Sequence, residues 1–242
     1  MIKFDIITIF PEIFSAKDGS ASGGNSYFSE SILKRAQKKK LIKIKIHDLR
    51  QWAQGKHRQV DDRPYGGGPG MILIVEPIAK ALHAVTSGKK QAARNKKSRI
   101  IMLTPAGKKF TQREAERLAK YNQLVLLCGR YEGFDARVDE LVDEKISIGD
   151  YVLAGGELPA IVVLEAIARQ IPGVVGHEHG LDEETFSKDL DYIEYQQYTR
   201  PEIIEIKRSK DKEIKRLMVP KVLLSGNHAE IKKWREKMIN IK

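Results

Sequence analysis

The chain alternates short apolar segments with stretches whose apolar residues recur every three to four positions. Over its first two-thirds this predicts alternating strands and helices, hence an α/β domain on a largely parallel sheet. Lys3 to Phe10 is a short apolar run stopped by Pro11 and reads as a first strand. Ile42, Ile44 and Ile46 alternate with lysines, as in a strand with one wetted face. Arg99 to Leu103 and Gln123 to Cys128 are near-continuously apolar, the pattern of central strands covered on both sides. Between strands, Pro77 can sit in the first turn of a helix reaching about Val85, and Thr111 and Glu114 have capping-box spacing ahead of Leu118 and Ala119. Pro159 opens an apolar helix that runs to Arg169 and ends before Pro172-Gly173.

Further along, the texture changes. Residues 176–195 are polar and acidic without a clear period and read as a connecting segment. After Tyr198-Thr199-Arg200-Pro201 the chain is basic and reads as helical, with Asn227 and Glu230 marking a capped start and Ile231, Trp234 and Met238 on one helix face. The expected organisation is a domain over residues 1–175, a linker over 176–195 and a small helical domain over 196–242. The Gly/Ser-rich stretch from Gly19 to Ser26 reads as a flexible loop.

Composition narrows the class. Hydrophobic residues make up 41% and charged residues 31% of 242, the balance of a soluble globular protein, and no apolar run approaches the roughly 20 residues of a membrane span. The first residues, with Asp5 inside the apolar run, lack a signal-peptide cleavage pattern, and the single Cys128 can form no internal disulfide. A cytoplasmic protein with a buried thiol is expected. The net charge of +11, concentrated in Lys34 to Lys45, Lys89 to Arg99, Lys207 to Lys221 and Lys232 to Lys237, suits a polyanionic partner. A merely solvated cationic surface is the alternative for any one run.

Five glycine-containing loops follow or join apolar segments, where backbone can approach a ligand closely. They are Arg63 to Gly70, Thr104 to Gly107, Gly129 to Gly133, Ile148 to Gly156 and Ile171 to Gly173. None carries the dinucleotide fingerprint or the phosphate-loop signature, and each alone could be a tight turn. The six histidines show no metal-ligand spacing, and no serine elbow or Cys-His arrangement suggests covalent catalysis.

Longer blocks are more specific. Val60-Asp61-Asp62-Arg63-Pro64-Tyr65-Gly66-Gly67-Gly68-Pro69-Gly70-Met71, Gly129-Arg130-Tyr131-Glu132-Gly133, Ser147-Ile148-Gly149-Asp150-Tyr151-Val152-Leu153, Gly155-Gly156-Glu157-Leu158-Pro159, Tyr198-Thr199-Arg200-Pro201 and Leu223-Leu224-Ser225-Gly226-Asn227-His228 closely resemble the tRNA (guanine-N1)-methyltransferases of bacteria, collinearly over nearly the whole chain. The resemblance implies a SpoU-TrmD type enzyme with a knotted α/β domain. It further implies a homodimer with composite sites, tRNA as partner, and transfer of a methyl group from S-adenosylmethionine to N1 of the guanine immediately 3′ of the anticodon. Periodicity alone gives no reason to expect a knot.

By the same resemblance the donor lies bent among the knot loops. It is assigned Thr104, Pro105 and Gly107 in the first loop, Gly129, Tyr131, Glu132 and Gly133 in the second, and Ile148, Gly149, Asp150, Tyr151, Val152 and Leu153 in the third. Gly155, Gly156 and Pro159 follow, and Asp61, Asp62, Gly70 and Phe186 are assigned to the RNA substrate. Mg²⁺ is an expected accessory, with no residue set identified for it.

The chemistry needs a base for the N1 proton and a cation near the purine oxygen. The resemblance maps the cation to Arg169, whose alternative role is an ion pair with Glu165 one turn earlier. It maps the base to Glu184, where relatives usually place aspartate before Ser-Phe; Asp182 is the alternative. Gln196-Gln197 replaces a usual Pro-His, and the chain stops soon after the Trp234 helix, where many relatives continue. Two other readings stand beside this one: a related knotted methyltransferase acting on ribosomal RNA or another tRNA position, and an RNA-binding protein of the same fold that has lost its base.

Overall fold

The computed structural model describes residues 1–14, 26–86, 98–176, 181–207 and 214–240, and the chain divides into two compact units, residues 1–178 and 179–242. The Gly19 to Ser26 stretch, apart from Ser26, and most of the basic run Lys89 to Arg99 lie outside the described residues. Strands of the first unit are β1 (Ile2–Thr8), β2 (Ile42–Asp48), the short pair β3 (Asp61–Asp62) and β4 (Ile72–Leu73), β5 (Ser98–Lys109), β6 (Gln123–Cys128) and β7 (Glu144–Ser147). Its helices are α1 (Ser31–Lys38), α2 (Val75–Thr86), α3 (Gln112–Leu118) and α4 (Glu157–Arg169).

Five strands form one sheet in the order β2-β1-β6-β5-β7, with every pairing parallel. Burial on both faces explains the unbroken apolar run of β6. Leu124 and Leu126 join a cluster with Phe4, Ile6, Leu164 and Ile167, while Val125 and Leu127 point the other way into a cluster with Ile7, Ile78 and Leu82. At the edge, β2 keeps Ile42 and Ile44 buried and leaves Lys43 and Lys45 exposed, which also discourages pairing with another strand.

Near its middle β1 carries a buried charge. The Asp5 carboxylate accepts bonds from Gln123 Nε2 at 2.7 Å and Lys3 Nζ at 2.7 Å, with His47 Nε2 at 2.8 Å. Burial alone would raise its pKa, but the bonds from His47, Lys3 and Gln123 outweigh that effect and lower it.

Helices form where the pattern predicts, with some differences at their ends. Thr111 is the residue before α3, yet its side chain makes no cap bond. Glu114 is drawn instead to Lys108 at 2.8 Å and Arg117 at 2.6 Å, donors that are themselves charged. Pro159 lies inside the first turn of α4, where it costs no hydrogen bond, and the helix begins at Glu157.

The second unit contains β8 (Ile203–Lys207), β9 (Ile214–Met218), α5 (Lys221–Leu224) and α6 (His228–Met238). Asn227 caps α6 as expected, its side chain accepting from Ala229 N and Glu230 N at 3.2 and 3.3 Å. The expectation of an all-helical region is corrected over β8 and β9, which pair antiparallel with Ile204 opposite Leu217. Ile203, Ile204 and Ile206 are β-branched, lose side-chain freedom in a helix, and fit a pleated ribbon better. Residues 181–195, read from sequence as a connection, are grouped with this unit and fold back on themselves, with Phe186 N donating to Tyr192 O at 2.8 Å.

Asp5→Asn should cost about 1–3 kcal/mol at neutral pH, since it removes the charge that three neighbours converge on. Because the folded-state pKa is lowered, the contribution is complete above about pH 4 and is lost as pH falls through the folded value. Denaturant titrations from roughly pH 7 to pH 3 should show the gap to wild type narrowing at the acid end.

Candidate active site

The carboxyl ends of parallel strands, where neighbouring connections diverge, are where open α/β sheets bind ligands. Here the looped-out middle of β5, the ends of β6 and β7 and the start of α4 surround a cavity of about 450 Å³, within the roughly 300–1,000 Å³ of small-molecule sites. Of the residues assigned to the donor, Thr104, Pro105, Gly129, Tyr131, Glu132, Gly133, Ile148, Gly149, Tyr151, Val152, Leu153, Gly155, Gly156 and Pro159 line it. Gly107 and Asp150 do not. The Asp150 carboxylate meets Lys109 Nζ at 2.6 Å, and Gly107 has a packing role.

That role follows from the strand register. β5 pairs with β7 up to Leu103 opposite Ile146, then loops out over residues 104–107 and resumes with Lys108 opposite the same Ile146. A Cβ on Gly107 would stand 2.5 Å from Ile146 N, so the return is possible only without a side chain. Gly156 has the corresponding role at the helix, where an added Cβ would lie 2.8 Å from both Cys128 Cα and Gly129 N. The N-terminus of α4 thereby rests directly on the end of β6.

Next to this contact lies Glu157, buried to 1% exposure. Its carboxylate accepts from Thr8 Oγ1 at 2.6 Å and from Arg130 Nε at 2.9 Å. Arg130 in turn reaches Ala154 O at 3.3 Å and places its guanidinium 4.7 Å from the Phe10 ring centroid. One carboxylate therefore joins the end of β1, the loop after β6 and the start of α4. Cys128 lies beside it, and burial followed by the Glu157 charge pushes the thiol pKa well up, against the smaller pull of Arg130, so it is no ready nucleophile.

The loop between β3 and β4 is fastened to the same wall. Glu132 N donates to Met71 O at 3.0 Å, Leu73 N to Gly133 O at 2.9 Å, and Asp135 N to Leu73 O at 3.0 Å. Tyr131 is held in the left-handed region at φ +59, a conformation worth about 1–3 kcal/mol of strain for a non-glycine residue. Burial first, and then the carboxylate of Asp61, raise its hydroxyl pKa against the opposing pull of Arg50 and Arg130. Asp61 is thus brought to the cavity loop. Asp62 caps the next residue, accepting from Arg63 N at 2.8 Å, and Gly70 lies against the Glu132 side chain.

In the third loop the Ser147 hydroxyl donates to Gly149 O at 2.9 Å and accepts from Gly149 N at 3.3 Å, fixing the turn. Arg169 closes α4, and Glu165, its expected alternative partner, accepts a short hydrogen bond from the Tyr27 hydroxyl. Glu184 and Phe186 belong to the second unit; Phe186 is 44% exposed at φ +69. Among the described residues no group of three or more His, Cys, Asp or Glu is arranged to hold a metal ion, and no helix is long and apolar enough to cross a membrane.

Arg130 and Glu157 belong to the Gly129–Gly133 and Gly155–Pro159 motifs, in which the resemblance gives neither a role. A lone carboxylate at the head of an otherwise apolar helix was the available signal for Glu157. Its partner Thr8, 149 residues earlier, carries no such signal.

Comparison with known proteins agrees with the motifs. The family described as tRNA (guanine-1)-methyltransferase TrmD matches residues 2–242. A protein of Dictyoglomus turgidum named tRNA (guanine-N(1)-)-methyltransferase is 44% identical over 237 residues, covering 98% of this chain and 84% of its own length. Proteins of the same name from Citrifermentans bemidjiense and Geobacillus kaustophilus are each 45% identical over 237 residues, covering 98% of this chain and 84% and 86% of their own.

Gly156→Ala should force α4 off the end of β6, lowering both melting temperature and calorimetric affinity for S-adenosylmethionine. Gly176→Ala, where an added Cβ meets nothing within 4 Å, should change neither. Equal behaviour of the two variants would show that the close approach at Gly156 does not shape the cavity.

Proposed function

The chain belongs to the tRNA (guanine-1)-methyltransferase family, and from that premise we propose that it transfers the methyl group of S-adenosylmethionine to N1 of the guanine immediately 3′ of the tRNA anticodon. The observation that carries the reading is the convergence of three separate glycine loops on one cavity at the strand ends. Backbone groups there suit a donor whose adenine and ribose need hydrogen bonds rather than counter-charges. The looped-out residues 104–107, with β5 beside β7 on either side, support the knotted path that the resemblance implies.

When bound, S-adenosylmethionine supplies an electrophilic methyl on a sulfonium, and the chain's own residues supply the rest. The cavity-lining residues of the loops 104–106, 129–133 and 148–153 would hold it. Arg169 stabilises negative charge developing on the purine oxygen. Glu184 takes the N1 proton as the N1–carbon bond forms and the carbon–sulfur bond breaks. Glutamate reaches one methylene further than the aspartate of relatives, so its backbone sits slightly further back for the same hydrogen bond.

Residues 1–175 then act as the catalytic domain, and the region after the linker grips tRNA through its lysines and arginines. Such binding weakens with salt as phosphate contacts release counterions. A tRNA substrate supports a cytoplasmic location. An active homodimer is supported by a stripe on α4 where Leu158 and Val162 are 59% and 47% exposed, one turn apart, beside exposed Tyr27 and ahead of Arg169.

In this reading Glu184→Gln keeps donor binding and lowers methyl transfer to an anticodon stem-loop by about a hundredfold or more. Normal turnover of Glu184→Gln with an inactive Asp182→Asn moves the role to Asp182, and donor binding without transfer to any RNA by the wild type removes the enzymatic reading. The double variant Leu158→Asp, Val162→Asp should sediment as a monomer and lose activity; a fully active monomer contradicts composite sites.

A further inference from the structure

The proposed base stands in a segment that is tied to the C-terminal helix of its own unit. Within residues 181–195, Ser187 N donates to Glu184 O at 2.9 Å, Ser187 Oγ to Asp182 O at 3.0 Å, and Glu194 N to Thr185 Oγ1 at 3.3 Å. Phe186 N to Tyr192 O closes the loop, with Tyr192 only 5% exposed as its anchor. These bonds fix the loop's shape. Its register on α6 is set by other contacts.

Ile193 N donates to Asn240 Oδ1 at 2.7 Å, and Asn240 N donates back to Ile193 O at 3.0 Å. Asn240 holds this clasp in the left-handed conformation at φ +61, which asparagine and aspartate tolerate better than most residues. From α6 itself, the Arg235 guanidinium lies 4.8 Å from the centroid of the Tyr195 ring. The Tyr195 hydroxyl reaches Glu183 Oε2 at 3.4 Å, on the residue immediately before Glu184. A path of contacts thus runs from α6 to the neighbour of the proposed base.

We infer that Asn240 and Tyr195 are positioning residues for methyl transfer, holding the loop that bears Glu184 in register with α6. The inference rests on the reading of Glu184 as the base. The exposed cations Lys232, Lys233, Arg235 and Lys237 lie on or beside the same clasped helix, so phosphates engaging α6 carry the base loop with them. The consequence is kinetic. A base must come within about 2.6–3.2 Å of the proton it removes, and a displacement of about 1 Å can cost on the order of a hundredfold in rate. RNA affinity, set by contacts spread along the helix, is nearly indifferent to such a shift.

The test uses the full-length chain with an anticodon stem-loop, measuring kcat and KM for methyl transfer and Kd by fluorescence anisotropy. Asn240→Ala should lower kcat by about tenfold or more while KM and Kd stay within about twofold. Asn240→Asp keeps an oxygen to accept from Ile193 N and should restore most of the rate. Tyr195→Phe keeps the ring beneath Arg235 but loses the hydroxyl, and should lower kcat several-fold. If Asn240→Ala does not fold, the Asn240→Asp and Tyr195→Phe results decide alone. Wild-type kcat in Tyr195→Phe together with Asn240→Ala, or loss of kcat and RNA affinity in parallel without rescue by aspartate, overturns the inference. Glu184→Gln separates the two layers: an inactive Glu184→Gln beside normal positioning variants removes only the positioning role, and an active one removes the base assignment beneath it.

Discussion

The desolvated carboxylate of Glu157 is the constraint to which the first unit's cavity is fitted. An ionised group at 1% exposure costs several kcal/mol unless charge and hydrogen bonds replace its water. Thr8 and Arg130 are the replacements, and each comes from a different part of the chain. Satisfying one side chain therefore fixes three elements relative to each other. Arg130 also bonds Ala154 O and lies over the Phe10 ring, so the cation is a strut of the wall rather than a freely swinging group.

Around that strut the cavity is made mainly by what is missing. At Gly107 and Gly156 backbone lies where a Cβ would otherwise be, which lets β5 return beside β7 and lets α4 rest on the end of β6. Close backbone packing brings three loops to one point around the cavity. The Arg130–Glu157 pair is meanwhile used to hold the wall in place.

The second unit applies similar logic on a smaller scale. Its polar segment 181–195 satisfies its backbone largely through its own turns and then through Asn240. A stretch that looks like a linker in composition thereby becomes a shaped loop with a partner helix. Tyr198 adds an edge contact to Trp234 at 6.1 Å between ring centroids, joining the Tyr-Thr-Arg-Pro block to the same helix.

Local pattern alone was enough to specify the central strands, the interior helices and the Asn227 cap, because each reflects periodicity or a bond within a few residues. The wetted lysines of β2 and the two-sided run of β6 were legible for the same reason. The motif blocks identified the loops that meet at the cavity. They could not assign Gly107 to packing, or show that Glu114 forsakes a cap for Lys108 and Arg117, or pair residues 203–207 with 214–218 as a ribbon. Least legible was Glu157 with Thr8, since nothing at either position encodes the other. Bonds across 149 residues exist only once the sheet has set their distance, and burial alone then makes them obligatory.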